Sequence, residues 1–176
     1  MKKLFLGLLL SLPLLAGSLQ LQDGSIEAHT EMMMDSEINP LNKSLQADVS
    51  IEGVNINTLA GKFWVDLNLF ASDKKDRDEH MYKSLESTKF TSATFSILNV
   101  QATAEKDIYS INGKLNFHGV EKALEAKAKI YFENNTLHFE ATSMINMPDY
   151  GIEMPCMVFM CVRDQVDLVV KATFTK

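Results

Sequence analysis

Two cysteines, four prolines and one tryptophan are all that the 176 residues contain of these types, and no run of Lys or Arg exceeds two. So few cysteines exclude the disulfide-dense scaffold by which small secreted domains replace a core. With 17 basic residues against 23 acidic and a net charge of −6, the chain lacks the basic cluster that a phosphate backbone requires. That excludes nucleic acid as a partner. The four histidines, His29, His80, His118 and His138, include no pair at the i, i+2 or i, i+4 spacing of a metal site. Also missing are a Gly-rich phosphate loop, a nucleophile elbow, and carboxylates with a reason to converge. The sequence therefore predicts no metal centre and no enzyme. What it has in quantity is apolar residues, 46% of the chain, too many for a disordered protein. Its length suits one domain, usually about 100–200 residues.

The longest apolar stretch comes first. Lys2 and Lys3 precede an apolar core from Leu4 to Ala16, and the small residues Ala16, Gly17 and Ser18 follow. At about 13 residues this core is short of the roughly 20 that a membrane span needs. The layout is that of a cleaved secretory signal of bacterial style. We therefore expect residues 1–18 to be removed, residues 19–176 to form the domain, and the product to reside in the periplasm. Removal also takes away Lys2 and Lys3, leaving a more acidic exterior.

Beyond the signal, alternation dominates. In residues 61–70, Phe63, Val65, Leu67 and Leu69 share a face opposite Lys62, Asp66 and Asn68. Tyr109, Ile111, Leu115 and Phe117 oppose Ser110, Asn112, Lys114 and Asn116. The same parity runs through residues 124–133, 137–145 and 166–175, and further strands are expected near 24–34, 45–52 and 91–100. Period two predicts half-buried antiparallel strands. His118-Gly119 and Glu133-Asn134-Asn135 leave room only for hairpin turns. The count reaches about eight, enough for a sheet to close around one small ligand.

One segment breaks the pattern. Residues 72–87 predict a short amphipathic helix, capped by Ser72 or Asp73, with Met81 and Leu85 as its apolar stripe. Lys74–Asp78 and Lys75–Glu79 have the spacing of surface ion pairs.

Four motifs then carry a resemblance. Arg77-Asp78-Glu79-His80-Met81, followed by Lys89-Phe90-Thr91-Ser92-Ala93-Thr94-Phe95, resembles the RDEHM…KFPxATF segment of the YceI-like family. The stretch from Tyr109 through Gly113 and Leu115 to His118-Gly119-Val120 is similar to that family's hairpin motif. Asp149-Tyr150-Gly151-Ile152 and Val162-Arg163-Asp164-Gln165-Val166 resemble its two closing motifs. The resemblance implies an all-β, eight-stranded antiparallel lipocalin-like barrel, with one short helix crossing between strands. It also implies a polyisoprenoid or similar lipid in the interior, usually in the bacterial periplasm. Near the start the chain departs from the family: Ser25 to Met34 stand where members often carry an aromatic-rich pattern, so the ligand's identity does not carry over.

The inward faces are the candidate site. Phe63, Val65, Leu67, Phe95, Ile97, Leu115, Phe117, Ile130, Phe139 and Ile145 form the expected lipid-binding lining. Parity alone fits a filled core equally well; the resemblance favours a cavity. Arg77, Asp78 and His80 suit a polar headgroup at the entrance, or a helix network pinning the crossover. Met144, Met147, Met154, Met157 and Met160 lie close to Cys156 and Cys161. Methionines make an adaptable apolar lining. The alternative is a soft-metal (copper) or haem-type cofactor module built on these thioethers and thiols. On one straight strand the two cysteines would stand about 16 Å apart, beyond the roughly 7 Å limit for a bridge. A disulfide therefore needs residues 157–160 to loop, and the sequence leaves both states open. The expected function is a non-catalytic carrier of a polyisoprenoid, quinone-like or fatty-acyl lipid. It would need no cofactor, would exchange its lipid by transient membrane contact, and would be a monomer or homodimer.

Overall fold

The computed structural model describes residues 16–32, 36–157 and 160–176. Lys2, Lys3 and nearly all of the apolar run of the expected export signal lie outside the described residues, as do Met33 and Met34. The strands are β1 (Ala16–Met32), β2 (Ser36–Ile38), β3 (Leu41–Asn42), β4 (Gln46–Glu52), β5 (Asn55–Asp66) and β6 (Ser92–Ala102), then β7 (Ile108–Phe117), β8 (Val120–Glu133), β9 (Thr136–Asn146), β10 (Cys156–Met157), β11 (Met160–Cys161) and β12 (Gln165–Thr175). One helix, α1 (Lys75–Ser84), lies between β5 and β6.

Eight strands close into an antiparallel barrel in the order β1-β4-β5-β6-β7-β8-β9-β12, with β12 pairing back onto β1. The long β1 makes closure work. Leu19 pairs with Val49 of β4, a contact extended here by Ala16 to Ser18, which the expected cleavage would remove, while Gln20 to His29 pair with β12 across a bulge between Leu21 and Asp23. Such a bulge bends a strand and increases its local twist.

The connections divide by length. At one end the barrel turns through Gly53-Val54 and Asn134-Asn135, two residues each, and through the short loop from Thr103 to Asp107. At the other end lie the long segments that carry β2 and β3, then α1, then the disulfide hairpin β10–β11. One end is therefore tightly laced, and the other, the mouth, is covered by irregular chain. At the mouth, His118 (φ 51°) and Gly119 (φ 76°) make a two-residue turn joining Phe117 to Val120, the left-handed pair that suits hairpin twist.

Inward residues follow the expected parity, with instructive exceptions. β5 ends at Asp66, whose carboxylate accepts from Asn68 N at 2.8 Å and starts a 3₁₀ turn over Leu67–Leu69. That turn buries Leu67 and Phe70 but leaves Leu69 51% exposed, correcting the expectation that Leu69 continues the inward face. The helix is shorter than predicted and starts at Lys75. Neither Ser72 nor Asp73 is its cap. Ser72 Oγ instead accepts from Lys74 N at 3.2 Å, and the Asp78 carboxylate accepts from Ser72 N at 2.9 Å. Asp78 is thus turned to the backbone rather than to Lys74, while Arg77 pairs with Asp73 at 3.1 Å.

Candidate functional site

At the mouth end the barrel holds a cavity of about 400 Å³. Its wall is apolar, and the polar groups that line it sit on or beside the mouth: Thr30, Ser72, Arg77, Asp78, His80 and Ser84. Helix spacing explains this grouping. Arg77, His80, Met81, Ser84 and Leu85 recur at three and four residues, so one face of α1 closes the cavity. Met81 and Leu85 supply the apolar stripe read from the sequence.

A smaller lobe of about 90 Å³ continues toward the laced end, sharing Ile26, Val65, Ala93, Leu115 and Leu168 with the larger one. Of the ten residues expected to line a lipid site, Val65, Leu67, Leu115, Phe117 and Ile145 face the larger lobe. Phe63, Phe95 and Phe139 face the smaller. Ile97 and Ile130 line neither lobe. Ile130 is fully buried in the packed end of the barrel, and Ile97 packs against the core close to the β6 irregularity at Leu98. Parity puts a side chain inside a barrel but does not say at which depth the interior is filled.

Arg77, Asp78 and His80 all line the larger lobe at the mouth. Arg77 Nη1 donates to Asp73 and, at 3.5 Å, to the Glu37 carbonyl, so the guanidinium also ties α1 to β2. Asp78 is buried, 8% exposed, and His80 is exposed. Beside them Tyr82 donates to the Phe70 carbonyl at 2.5 Å; burial first, then the Asp78 carboxylate, pushes its phenol pKa up.

Sequence reasoning missed much of the mouth. Ile26, Ala28 and Thr30 of β1 line the cavity, as do Ile38 and Pro40. Their alternation with Glu27, His29 and Glu31 was available as a signal in the sequence. Four methionines, Met32, Met81, Met147 and Met154, also line it. Among the described side chains of the Met-rich segment, Met147 and Met154 reach the cavity, whereas Met144 points outward, 55% exposed. Cys156 and Cys161 are bridged, on the paired strands β10 and β11. In this form neither sulfur is a thiolate, so the soft-metal alternative keeps only thioethers.

The family-like motifs converge in space. The His118 ring Nδ1 donates to the Tyr150 carbonyl at 2.9 Å and lies 4.1 Å from the Phe90 ring, while Phe117 lies 5.4 Å from Tyr150. His118 therefore belongs to a turn packed between segments, not to the polar face of a strand. Burial, then Asp149, raises the Tyr150 phenol pKa. Nearby, Thr30 Oγ1 donates to the carbonyls of Arg163 and Gln165 at 3.2 and 3.0 Å, fastening β1 to the chain entering β12.

Comparison with known proteins decides the family. The model of the YceI-like domain matches residues 18–174. The chain belongs to the YceI-like domain family. Among solved structures, BcnA from Burkholderia cenocepacia is similar with a TM-score of 0.76 at 14% identity, over 85% of this chain and 95% of that one. A polyisoprenoid-binding domain from Saccharophagus degradans, implicated in plant cell wall breakdown, gives a TM-score of 0.68 at 13% identity over 90% and 97% of the two chains. The YceI protein of Campylobacter jejuni gives 0.65 at 14% identity over 77% and 83%. No sequence relative matches among curated proteins. At such identities the YceI-like barrel is shared; the lining must be read from this chain's own residues.

Proposed function

We propose that this YceI-like barrel is a non-catalytic carrier that holds the apolar tail of one lipid in its interior, with the lipid's polar head at α1. The observation that carries the reading is the single polar end of an otherwise apolar cavity of about 400 Å³. A tail gains about 0.8 kcal/mol per methylene removed from water, offset by the cost of immobilising it. No bond need be made or broken. A polyisoprenoid, quinone-like or fatty-acyl tail satisfies this chemistry, and the likeness to a polyisoprenoid-binding domain supports it. Arg77, Asp78 and His80 are the groups that would meet the head.

The proposed compartment is the periplasm. The export-type leader in the sequence and the Cys156–Cys161 bridge, which suits an oxidising environment, support that reading. Loading and release would occur by transient contact of the mouth with a membrane.

Native mass spectrometry of protein purified after expression with its leader tests both parts. Expected are a chain starting at Leu19 and a stoichiometric lipid recovered in an organic extract. A folded protein that neither carries nor takes up a lipid at one-to-one stoichiometry would overturn the carrier reading. Retention of the intact leader with the protein in the cytoplasm would overturn the location.

A further inference from the structure

The cavity ends on a wall. The Phe63 ring lies 5.1 Å from that of Phe139 and 6.2 Å from that of Phe174. Around and behind these rings Val49, Ile51, Ile130 and Leu137 are buried to 1% or less. The two-residue turns at Gly53-Val54 and Asn134-Asn135 lace this end of the barrel. A chain entering at α1 therefore meets a packed aromatic floor.

Volume then limits length. At about 400 Å³ the larger lobe stands near the lower end of the roughly 300–1,000 Å³ that ligand pockets span, and the smaller lobe adds only about 90 Å³. The head must also suit its surroundings. Arg77 already faces Asp73, and Asp78 adds a buried carboxylate to the lining. A hydroxyl can donate to Asp78 and accept from Arg77 at once. An anionic head would meet Asp78 as a like charge.

Resting on the carrier reading above, we infer that the Phe63–Phe139–Phe174 floor acts as a ruler. It restricts the ligand to one short amphiphile, such as a three-isoprene chain with a neutral, hydroxyl-bearing head, and excludes long polyprenyl chains from full insertion.

Titration calorimetry of the delipidated, disulfide-bonded protein tests this. The probes are ten-, fifteen- and twenty-carbon prenyl alcohols, the fifteen-carbon prenyl acid, a forty-carbon prenyl quinone and a sixteen-carbon fatty acid. Affinity should rise at least about tenfold from ten to fifteen carbons, then stay level or fall at twenty and forty. The acid should bind at least about tenfold more weakly than the alcohol. Phe63→Ala, and independently the milder Phe139→Leu, should move the optimum toward twenty carbons in protein shown to be folded by circular dichroism. Affinity still climbing through twenty and forty carbons in the wild type would overturn the ruler while leaving the carrier reading intact. So would an unshifted optimum in the folded variants, and an acid that binds as well as the alcohol would overturn the assigned head. Binding of no prenyl or fatty-acyl probe would overturn the carrier reading as well.

Discussion

The Nδ1–H of His118 donates to the carbonyl of Tyr150 across 2.9 Å, joining residues 32 apart in sequence. The bond holds the tip of the β7–β8 hairpin against the 3₁₀ turn Met147–Tyr150, and Phe90 packs on the same ring. His118→Phe keeps an aromatic ring there but leaves the Tyr150 carbonyl without its donor, at an expected cost of about 1–3 kcal/mol. His118→Ala, which also loses the ring packing, should cost more. Urea unfolding of the three proteins checks the order; equal stability of His118→Phe and wild type would contradict it.

Bridging of Cys156 and Cys161 closes a loop with a sequence separation of five. Chain-entropy arithmetic for so short a loop gives about 2 kcal/mol. The Cys156→Ser/Cys161→Ser double variant should therefore melt several degrees lower. Thiol titration of the denatured wild type should find no free thiol before reduction and both cysteines after it.

Gly113 faces inward on β7 by the alternation it shares with Ile111 and Leu115, and the Phe95 ring lies over it. A Cβ there would stand 2.2 Å from Phe95 Cζ and 2.5 Å from the Ser96 carbonyl. Gly113→Ala should cost about 1–3 kcal/mol by overpacking, since both the Phe95 ring, which borders the smaller lobe, and the Ser96 backbone would have to give way. Denaturant midpoints measure the cost, and a lower affinity for the longest accepted probe should accompany it.

His29 should titrate above the ordinary imidazole value of 6.5. Its hydrogen bond to Asn39 is the main cause; burial acts against it, and Glu31 and Glu37 add to it. A raised folded-state pKa means that its contribution to stability is complete below about pH 6.5 and is lost as pH rises through the folded value. A proton NMR titration should show this shift, and Asn39→Ala should return the ring toward 6.5. An unshifted wild-type ring would refute it.

Strand identity was legible because burial on one side of a sheet imposes period two. Thus Leu115 and Phe117 were placed inside before any pairing was known, and His118-Gly119 was placed at a turn. The end of β5 was not legible. Leu69 keeps the parity of Phe63 and Val65, yet the Asp66 side chain bonds Asn68 N and starts a turn that parity does not register. Asn42 was equally silent. It is fully buried, accepts from Ser44 N at 2.7 Å in a local turn, and donates to the Asp66 carbonyl at 2.8 Å, a bond visible only once the chain around β3 meets the end of β5.

By itself the sequence determined the fold class, the hairpin order and most of the residues that point inward, because those follow from local backbone period and turn chemistry. Tertiary structure decided how deep the interior stays open. Ile130 and Ile145 share one alternating pattern, yet the first lies in solid core and the second faces the cavity. The difference is set by what packs opposite them. Large aromatic rings from distant strands meet at the laced end, whereas a helix, the residues Met154, Pro155 and Val162 that flank the disulfide hairpin, and the small residue Ala93 border the open space. Packing between strands remote in sequence has no local signature, and here it separates a filled barrel end from a site that can hold a lipid.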